Sequence, residues 1–436
     1  MYNTLFVNIL FSPIIIFYRN YMIEYINPEL VLNNLANLPQ LVFEVTDACN
    51  LKCKYCAYGE FYDDKDERHD SKLPIESAKR IIDYLVPLWN SDRNTSSKVP
   101  LFISFYGGEP LLNMDFVMSI VEYIKNEKVI YHRDIRFSMT TNAVLLHKYM
   151  DYLADNNFNL LISLDGNEKN HSYRVDHSGI SSFSRVKHNV DILREKYPDY
   201  FDKNVNFNSV LHDRSSVQEV YDFIKQNYGK VPNINEINSS GIREDKKEEF
   251  YRTYKNAKQS LHQSENYEDI VKGMLYKSSD YSGLMKYLEG YSGNYYNTYL
   301  DLLLDEKKIK YIPTATCTPF LKKMFITVNG KILPCERIGQ QYSLGHVSEN
   351  NVDLDVEKIS TIYNVYFSKM ENKCNLCKRR KSCVQCMFYL NIEDENPKCV
   401  GFFSDKDFHI YKTEQESFLR KHPEAYTKLM KEMIIN

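Results

Sequence analysis

An excess of either charge is missing from this sequence: 55 Lys and Arg stand against 58 Asp and Glu, a formal net charge of -3. That balance argues against a nucleic-acid partner, which calls for a broad basic surface. Long apolar runs are missing too. The stretch from Leu5 to Tyr18 is interrupted by Asn8, Ser12 and Pro13 and falls short of the ~20 residues of a membrane helix, so no membrane partner is expected. Nor does it read as a secretory signal, because no basic segment precedes it and no small-residue cleavage site follows before Tyr18-Arg19-Asn20-Tyr21. The expectation for residues 1–21 is a packed strand, or an upstream extension ahead of a start at Met22. Neither a repeat of fixed period nor a low-complexity tract is found. What remains is a chain of 436 residues with 43% hydrophobic content, enough for a sizeable core and for two or three domains.

Ten cysteines stand out in that chain. Their spacings are those of metal ligands rather than of a small disulfide-stapled fold, so a reducing cytoplasm is the expected compartment. Strand patterns cover Leu41–Thr46, Leu101–Tyr106, Ile135–Thr141, Leu160–Leu164, Val205–Leu211 and Ile234–Ile237. Helical periodicity fills Ile75–Leu88, Phe116–Ile124, Leu145–Leu153, Phe183–Leu193 and Val217–Tyr228. About six β-then-α units argue for a parallel sheet flanked by helices, doubly wound or curled into a closed or partial barrel. Ligands gather at the carboxyl ends of such strands. Here those ends carry Cys49, Gly107-Gly108-Glu109-Pro110, Asn142 and Asp165-Gly166, which points to one shared site. The expected organisation is an N-terminal extension (1–40), the barrel (41–241), a polar, tyrosine-rich helical connector (242–312), a cysteine-rich domain (313–402) and a charged helical tail (403–436).

Cys49, Cys53 and Cys56 form a C-x3-C-x2-C group in the loop after the first strand. Three thiolates would leave one iron of a four-iron cluster open to a ligand. Structural zinc prefers four closed ligands from paired knuckles, and inert buried thiols are the other alternative. Together with Tyr55, this group resembles the signature of the radical S-adenosylmethionine (SAM) superfamily. Gly107-Gly108-Glu109-Pro110 is similar to that family's SAM-amine segment. Thr140-Thr141-Asn142-Ala143-Val144-Leu145 resembles a further family stretch in which glycine is usual where Ala143 stands, a departure that suggests a backbone conformation tolerant of a Cβ. Ser163-Leu164-Asp165-Gly166, with His171 and Arg174, is similar to a segment of the subgroup that carries C-terminal SPASM domains.

The resemblance implies an α/β fold, a (β/α)6 partial TIM barrel with a C-terminal SPASM iron–sulfur domain. It implies SAM bound through Gly107, Gly108 and Glu109 at the amine and Ser163 and Arg174 at the carboxylate, with Tyr55, Asn142 and Leu211 also in the pocket. One electron from the reduced cluster then cleaves SAM to a 5′-deoxyadenosyl radical that takes a substrate hydrogen, chemistry that the cofactors supply and the protein aims.

Further along, Cys317 and Cys335 flank Gly330, and Cys374, Cys377, Cys383 and Cys386 run as C-x2-C-x5-C-x2-C before Cys399. A zinc ribbon uses similar knuckles. The pattern also resembles the SPASM arrangement, with a last internal gap shorter than usual. The resemblance implies two auxiliary [4Fe-4S] clusters, one on Cys374, Cys377, Cys383 and Cys399 and one on Cys317, Cys335 and Cys386. Lys378, Arg379, Arg380 and Lys381 in the same loop would raise the nearby cluster's potential, or simply be solvated. Glu336, directly after Cys335, stands where sulfatase maturases have an aspartate general base.

Three functions are weighed: a maturase of ribosomally made peptides, forming a crosslink, thioether or oxidation; an anaerobic sulfatase maturase; and a non-catalytic iron–sulfur or zinc protein, which would need no SAM segment. Expected partners are a peptide or protein substrate, an electron donor such as flavodoxin or ferredoxin, and a separate leader-binding protein, since the stretch before Cys49 is short.

Overall fold

A computed structural model describes residues 25–128, 130, 133–292, 303–304 and 312–435; the expectation for residues 1–21 lies outside them. Six strands, β1 (Gln40–Thr46), β2 (Leu101–Gly107), β3 (Ile135–Thr141), β4 (Asn159–Ser163), β5 (Val205–Leu211) and β6 (Asn233–Glu236), pair in parallel in chain order. Helices Ile75–Trp89, Met114–Glu122, Leu146–Asp155, Phe183–Lys196 and Val217–Tyr228 cross between them. This is the open (β/α)6 barrel. The outward faces of the strands are apolar because each is covered by a crossover helix, and Phe43, Phe105 and Phe116 meet there in edge-on contacts.

Local chemistry sets the ends of these elements. Ser216 accepts a hydrogen bond from the Glu219 amide at the start of helix Val217–Tyr228, and Gly229, at φ +69°, ends it. This is the expected N-cap and left-handed C-cap pair.

The sheet does not stop at β1. Short strands β7 (Met324–Ile326), β8 (Lys331–Leu333), β9 (Gly345–Val347) and β10 (Val352–Asp353) extend it as an antiparallel meander. β7 lies parallel to β1, with Leu41 opposite Met324 and Phe43 opposite Ile326. Helix Val356–Leu376 follows and carries Cys374. It buries Ile359, Tyr363, Phe367 and Met370 on one face, each apolar side chain being worth about 1.5–3 kcal/mol when fully buried. The connector forms helices Lys247–Thr253, Ala257–His262, Tyr267–Met274 and Ser279–Tyr291. The last three share a second core with Leu211, Val217 and Tyr221 of the barrel and with Ala425 and Leu429, whereas Phe250 of the first packs with Tyr55, Phe61 and Tyr62. Among the described residues, no helix is long and apolar enough to cross a membrane.

Candidate active site

The carboxyl end of β2 approaches the loop after β1 more closely than a side chain would permit. A Cβ on Gly107, at φ +131°, would lie 2.3 Å from the Thr46 carbonyl oxygen, and one on Gly108 would lie 2.1 Å from that of Ala48. Only glycine fits such contacts. The Gly108 and Glu109 amides instead donate to those same carbonyls at 2.8 and 2.9 Å, which fixes the loop carrying Cys49, Cys53 and Cys56 against the sheet.

Glu109 is buried beside that loop. Its Oε1 accepts from Thr141 Oγ1 at 2.6 Å and from the Leu111 amide at 3.1 Å, and its Oε2 accepts from the Asn142 amide at 2.7 Å. Burial outweighs these bonds and pushes the carboxyl up to about 7. Asn142 in turn donates to Asn50 at 2.7 Å, and its amide nitrogen lies 3.8 Å from Cys49 Sγ. Ala143 corrects the expectation drawn from its Cβ: the residue is left-handed, at φ +60°, where glycine is favoured. Asn189 clamps the turn by donating to the Ala143 and Val144 carbonyls, both at 2.9 Å.

Arg174 and Asp165 form a buried pair. Asp165 also accepts from Tyr55 Oη and, at 2.9 Å, from the Val210 amide. Burial alone would raise the Asp165 carboxyl, but Arg174 holds it below the usual carboxylate range. His171 accepts from the Asp165 amide through Nδ1 and contacts Ser182 Oγ at 3.0 Å through Nε2. Its burial drives it down to about 4, so it is a neutral orienting ring.

One cleft of about 670 Å³ is lined by Cys49, Cys53, Tyr55, Cys56, Gly107, Gly108, Glu109, Asn142, Ser163 and Arg174, and also by Tyr106, Glu336, Arg337 and Tyr389. Leu211 is placed elsewhere. Its side chain lies in the connector core while Val210 lines the cleft, as the alternation of a strand requires.

The profile of the radical SAM superfamily matches residues 43–226, the stretch that holds the cysteine loop, the double glycine, Glu109 and Arg174. Residues 43–226 belong to the radical SAM superfamily of enzymes. The radical SAM cyclopropyl synthase TigE of Paramaledivibacter caminithermalis is 27% identical over 285 residues, 63% of this chain and 52% of that protein. The cysteine-type anaerobic sulfatase-maturating enzyme of Clostridium perfringens strain 13 is 23% identical over 361 residues, 79% of this chain and 87% of that protein. The chain spans about half the length of the first curated relatives it matches. A solved structure, native anSMEcpe with bound AdoMet, superposes with a TM-score of 0.57 at 19% identity, covering 89% of this chain and 98% of that one. That likeness is one of fold.

Within the radical SAM domain, burial pushes the thiols of Cys49 and Cys53 up to about 11 and about 12. They are protonated until a metal displaces the protons. All ten cysteines are free thiols. Cys374, Cys377, Cys383 and Cys399 line one cavity together with Tyr25, Lys373 and Arg380, a donor set that fits a four-thiolate cluster. Cys335 and Cys386 pack against the core that holds Tyr363, and their charges and that of Cys317 act on its buried phenol; three such thiols would leave a cluster one protein ligand short.

Glu336 stands where these last thiols meet the cleft. Its Oε2 lies 3.6 Å from Cys335 Sγ, and Lys323 Nζ contacts Oε2 at 3.0 Å and Oε1 at 3.1 Å. Burial acts to raise the carboxyl, yet the adjacent Lys323 holds it below its ordinary range. Asp165 was placed at the shared site but given no role, and Thr141 and Lys323 were given no part by sequence reasoning. The first two sit inside motifs quoted for their neighbours. Lys323 carries no local signal, since its partner is thirteen residues away.

Proposed function

We propose that this chain is a radical SAM enzyme that modifies a peptide or protein, with SAM and three [4Fe-4S] clusters as its cofactors. The observation that carries the reading is the single cleft joining the Cys49–Cys56 loop to Glu336 and the Cys335 side of the three-thiol group. A substrate in that cleft would face both ends at once. SAM bound on the reduced cluster supplies hydrogen-atom abstraction.

The chain's own residues then do the rest. Glu109 receives the ammonium of the methionyl end. Ser163 and Arg174 receive its carboxylate, and Asp165 positions Arg174. Tyr55, Gly107, Gly108 and Asn142 close the pocket around them and exclude water. Glu336, ionised by Lys323, is suited to take a proton at its carboxylate oxygens from the oxidised substrate. Reducing equivalents would come from flavodoxin or ferredoxin in the cytoplasm, and leader recognition would fall to the connector, the barrel rim or a separate protein.

The names of the relatives support this class, since one is a cyclopropyl synthase and others are sulfatase-maturating enzymes. The sulfatase reading has its own observation. Glu336 lies on the cleft directly after Cys335, the arrangement expected of a base for formylglycine formation.

Anaerobic reconstitution tests the proposal. The protein should take up about twelve irons, as three four-iron clusters, and cleave SAM to 5′-deoxyadenosine. Changing Cys49, Cys53 and Cys56 together to Ala should remove about a third of the iron and all cleavage. Stoichiometric zinc, or cleavage that survives the triple change, would overturn it. An aldehyde formed in a sulfatase-derived peptide, against a crosslink in a neighbouring short precursor, separates the two substrate classes.

A further inference from the structure

Tyr363 lies on the inner face of helix Val356–Leu376 and is wholly buried. Its ring is fixed by edge-on contacts with Phe367 at 5.9 Å and Phe388 at 5.7 Å. Its hydroxyl has no hydrogen-bond partner. Buried hydroxyls are rarely left in that state, because water that once satisfied them has been removed and nothing has replaced it. Phe388, which its ring contacts, stands two residues after Cys386, and Cys386 and Cys335 pack against the same core; the thiols of Cys386, Cys317 and Cys335 are the ionisable groups whose charge acts on the phenol.

Donors already point at two of those sulfurs. The Arg337 amide donates to Cys335 Sγ at 3.4 Å, and Thr316 Oγ1 lies 3.9 Å from Cys386 Sγ. A third, unused donor, the Tyr363 hydroxyl, is buried in the core against which Cys335 and Cys386 pack, available to an acceptor that arrives with the metal. A phenol O–H donates well to a thiolate or a sulfide and cannot be replaced there by water in so closed a site.

We propose that Tyr363 Oη donates a hydrogen bond to a sulfur of the cluster held by Cys317, Cys335 and Cys386, and thereby raises that cluster's reduction potential. The reduced cluster is the more negative one, so a donor to its sulfur stabilises it over the oxidised form. The inference rests on the three-cluster reading and goes beyond it by giving this one auxiliary centre its own tuning residue. Tyr363 is a positioning and tuning group, since it touches the cluster's sulfur and not the reacting bond.

The test uses the full chain, anaerobically loaded, with the variant Tyr363→Phe and a second protein in which Tyr363 is replaced by 3-fluorotyrosine, a stronger donor of nearly the same shape. Redox titration followed by EPR should show the midpoint of the auxiliary signal that Cys386→Ala removes shifting to lower potential in Tyr363→Phe and to higher potential in the fluorinated protein. The other two signals should stay where they are. After exchange into deuterated buffer, pulsed EPR should show a deuteron coupling on that signal in the wild type and its loss in Tyr363→Phe. If the signal is present but neither its midpoint nor its deuteron coupling changes, Tyr363 is a packing aromatic and the inference fails alone. If the wild type has no auxiliary signal that Cys386→Ala removes, the cluster assignment fails with it. Should Tyr363→Phe lose iron, the fluorinated protein decides by the direction of its shift.

Discussion

Arg174 grips Asp165 through two parallel hydrogen bonds, Nε to Oδ2 at 2.9 Å and Nη2 to Oδ1 at 3.0 Å, with the Asp165 side chain wholly buried and the Arg174 side chain nearly so. The residue expected to hold a ligand's carboxylate thus spends two of its donors on the protein's own. Removing one partner leaves the other charged and buried, which costs about 3–5 kcal/mol. Arg174→Ala should therefore lower the unfolding midpoint sharply, before any effect on SAM is measured. Asp165→Asn combined with Arg174→Met should be less destabilised than the sum of the single variants in urea titrations. Strict additivity would mean that the pair is not coupled.

Glu109 supplies a pH dependence with a definite sign. Its folded value, about 7, is raised above the ordinary 4.5 by burial. Its contribution to stability is therefore full below the ordinary value and is lost as pH rises through the folded one. A ligand ammonium favours the ionised form, so SAM affinity should increase as pH rises from about 6 to about 8. Glu109→Gln should weaken binding roughly ten- to a hundredfold, the worth of a charge-assisted hydrogen bond, and flatten the pH profile. Anaerobic calorimetry at several pH values would show this. An unchanged profile in the variant would assign the titration to another group.

The pairing of Lys323 with Glu336 separates proton transfer from radical generation. Glu336→Gln should still release 5′-deoxyadenosine while product falls away. In Lys323→Met the opposing charge is gone and burial dominates, so the Glu336 carboxyl should titrate at higher pH. The acidic limb of product formation should move with it while SAM cleavage stays put. A product profile that does not move in Lys323→Met would remove Glu336 from the role of base.

The six parallel strands were legible in the sequence to within a residue or two, because each is long enough to show its period and ends at a turn signal. Helix Val217–Tyr228 was legible from its period alone, and its bounds hold because Ser216 and Gly229 cap its two ends. Strands β7 to β10 were not. Two or three residues carry no alternation to read, and pairing with β1, far away in sequence, is what makes β7 a strand. Helix Val356–Leu376 was hidden by the cysteines at its end, which drew the whole segment into a metal-binding reading. At the site, residue types and spacing exposed the cysteines, Gly107, Gly108 and Glu109. They could not expose how Arg174 divides its donors between ligand and protein, nor that Ala143 keeps a left-handed turn despite its Cβ, because both depend on three-dimensional neighbours.

The pairing of β7 with β1 has a consequence for electron transfer. The Cys49–Cys56 loop leaves the end of β1, and Cys335 follows β8, two strands away in the same sheet. Because β8 runs antiparallel to β7, and β7 lies parallel to β1, Cys335 emerges at the opposite end of the sheet from the Cys49–Cys56 loop. The two are separated along the strands, at about 3.3 Å per residue, as well as across them, at about 4.8 Å per strand, and hydrogen-bonded ladders rather than a tether fix that gap. Tunnelling rates fall steeply with distance, and a sheet acts as a ruler that thermal motion or an arriving substrate does not stretch. Were clusters held at both ends, as proposed above, a change at Ile326, which lies in β7 outside the cleft lining, should therefore alter the rate of electron passage by altering the ruler.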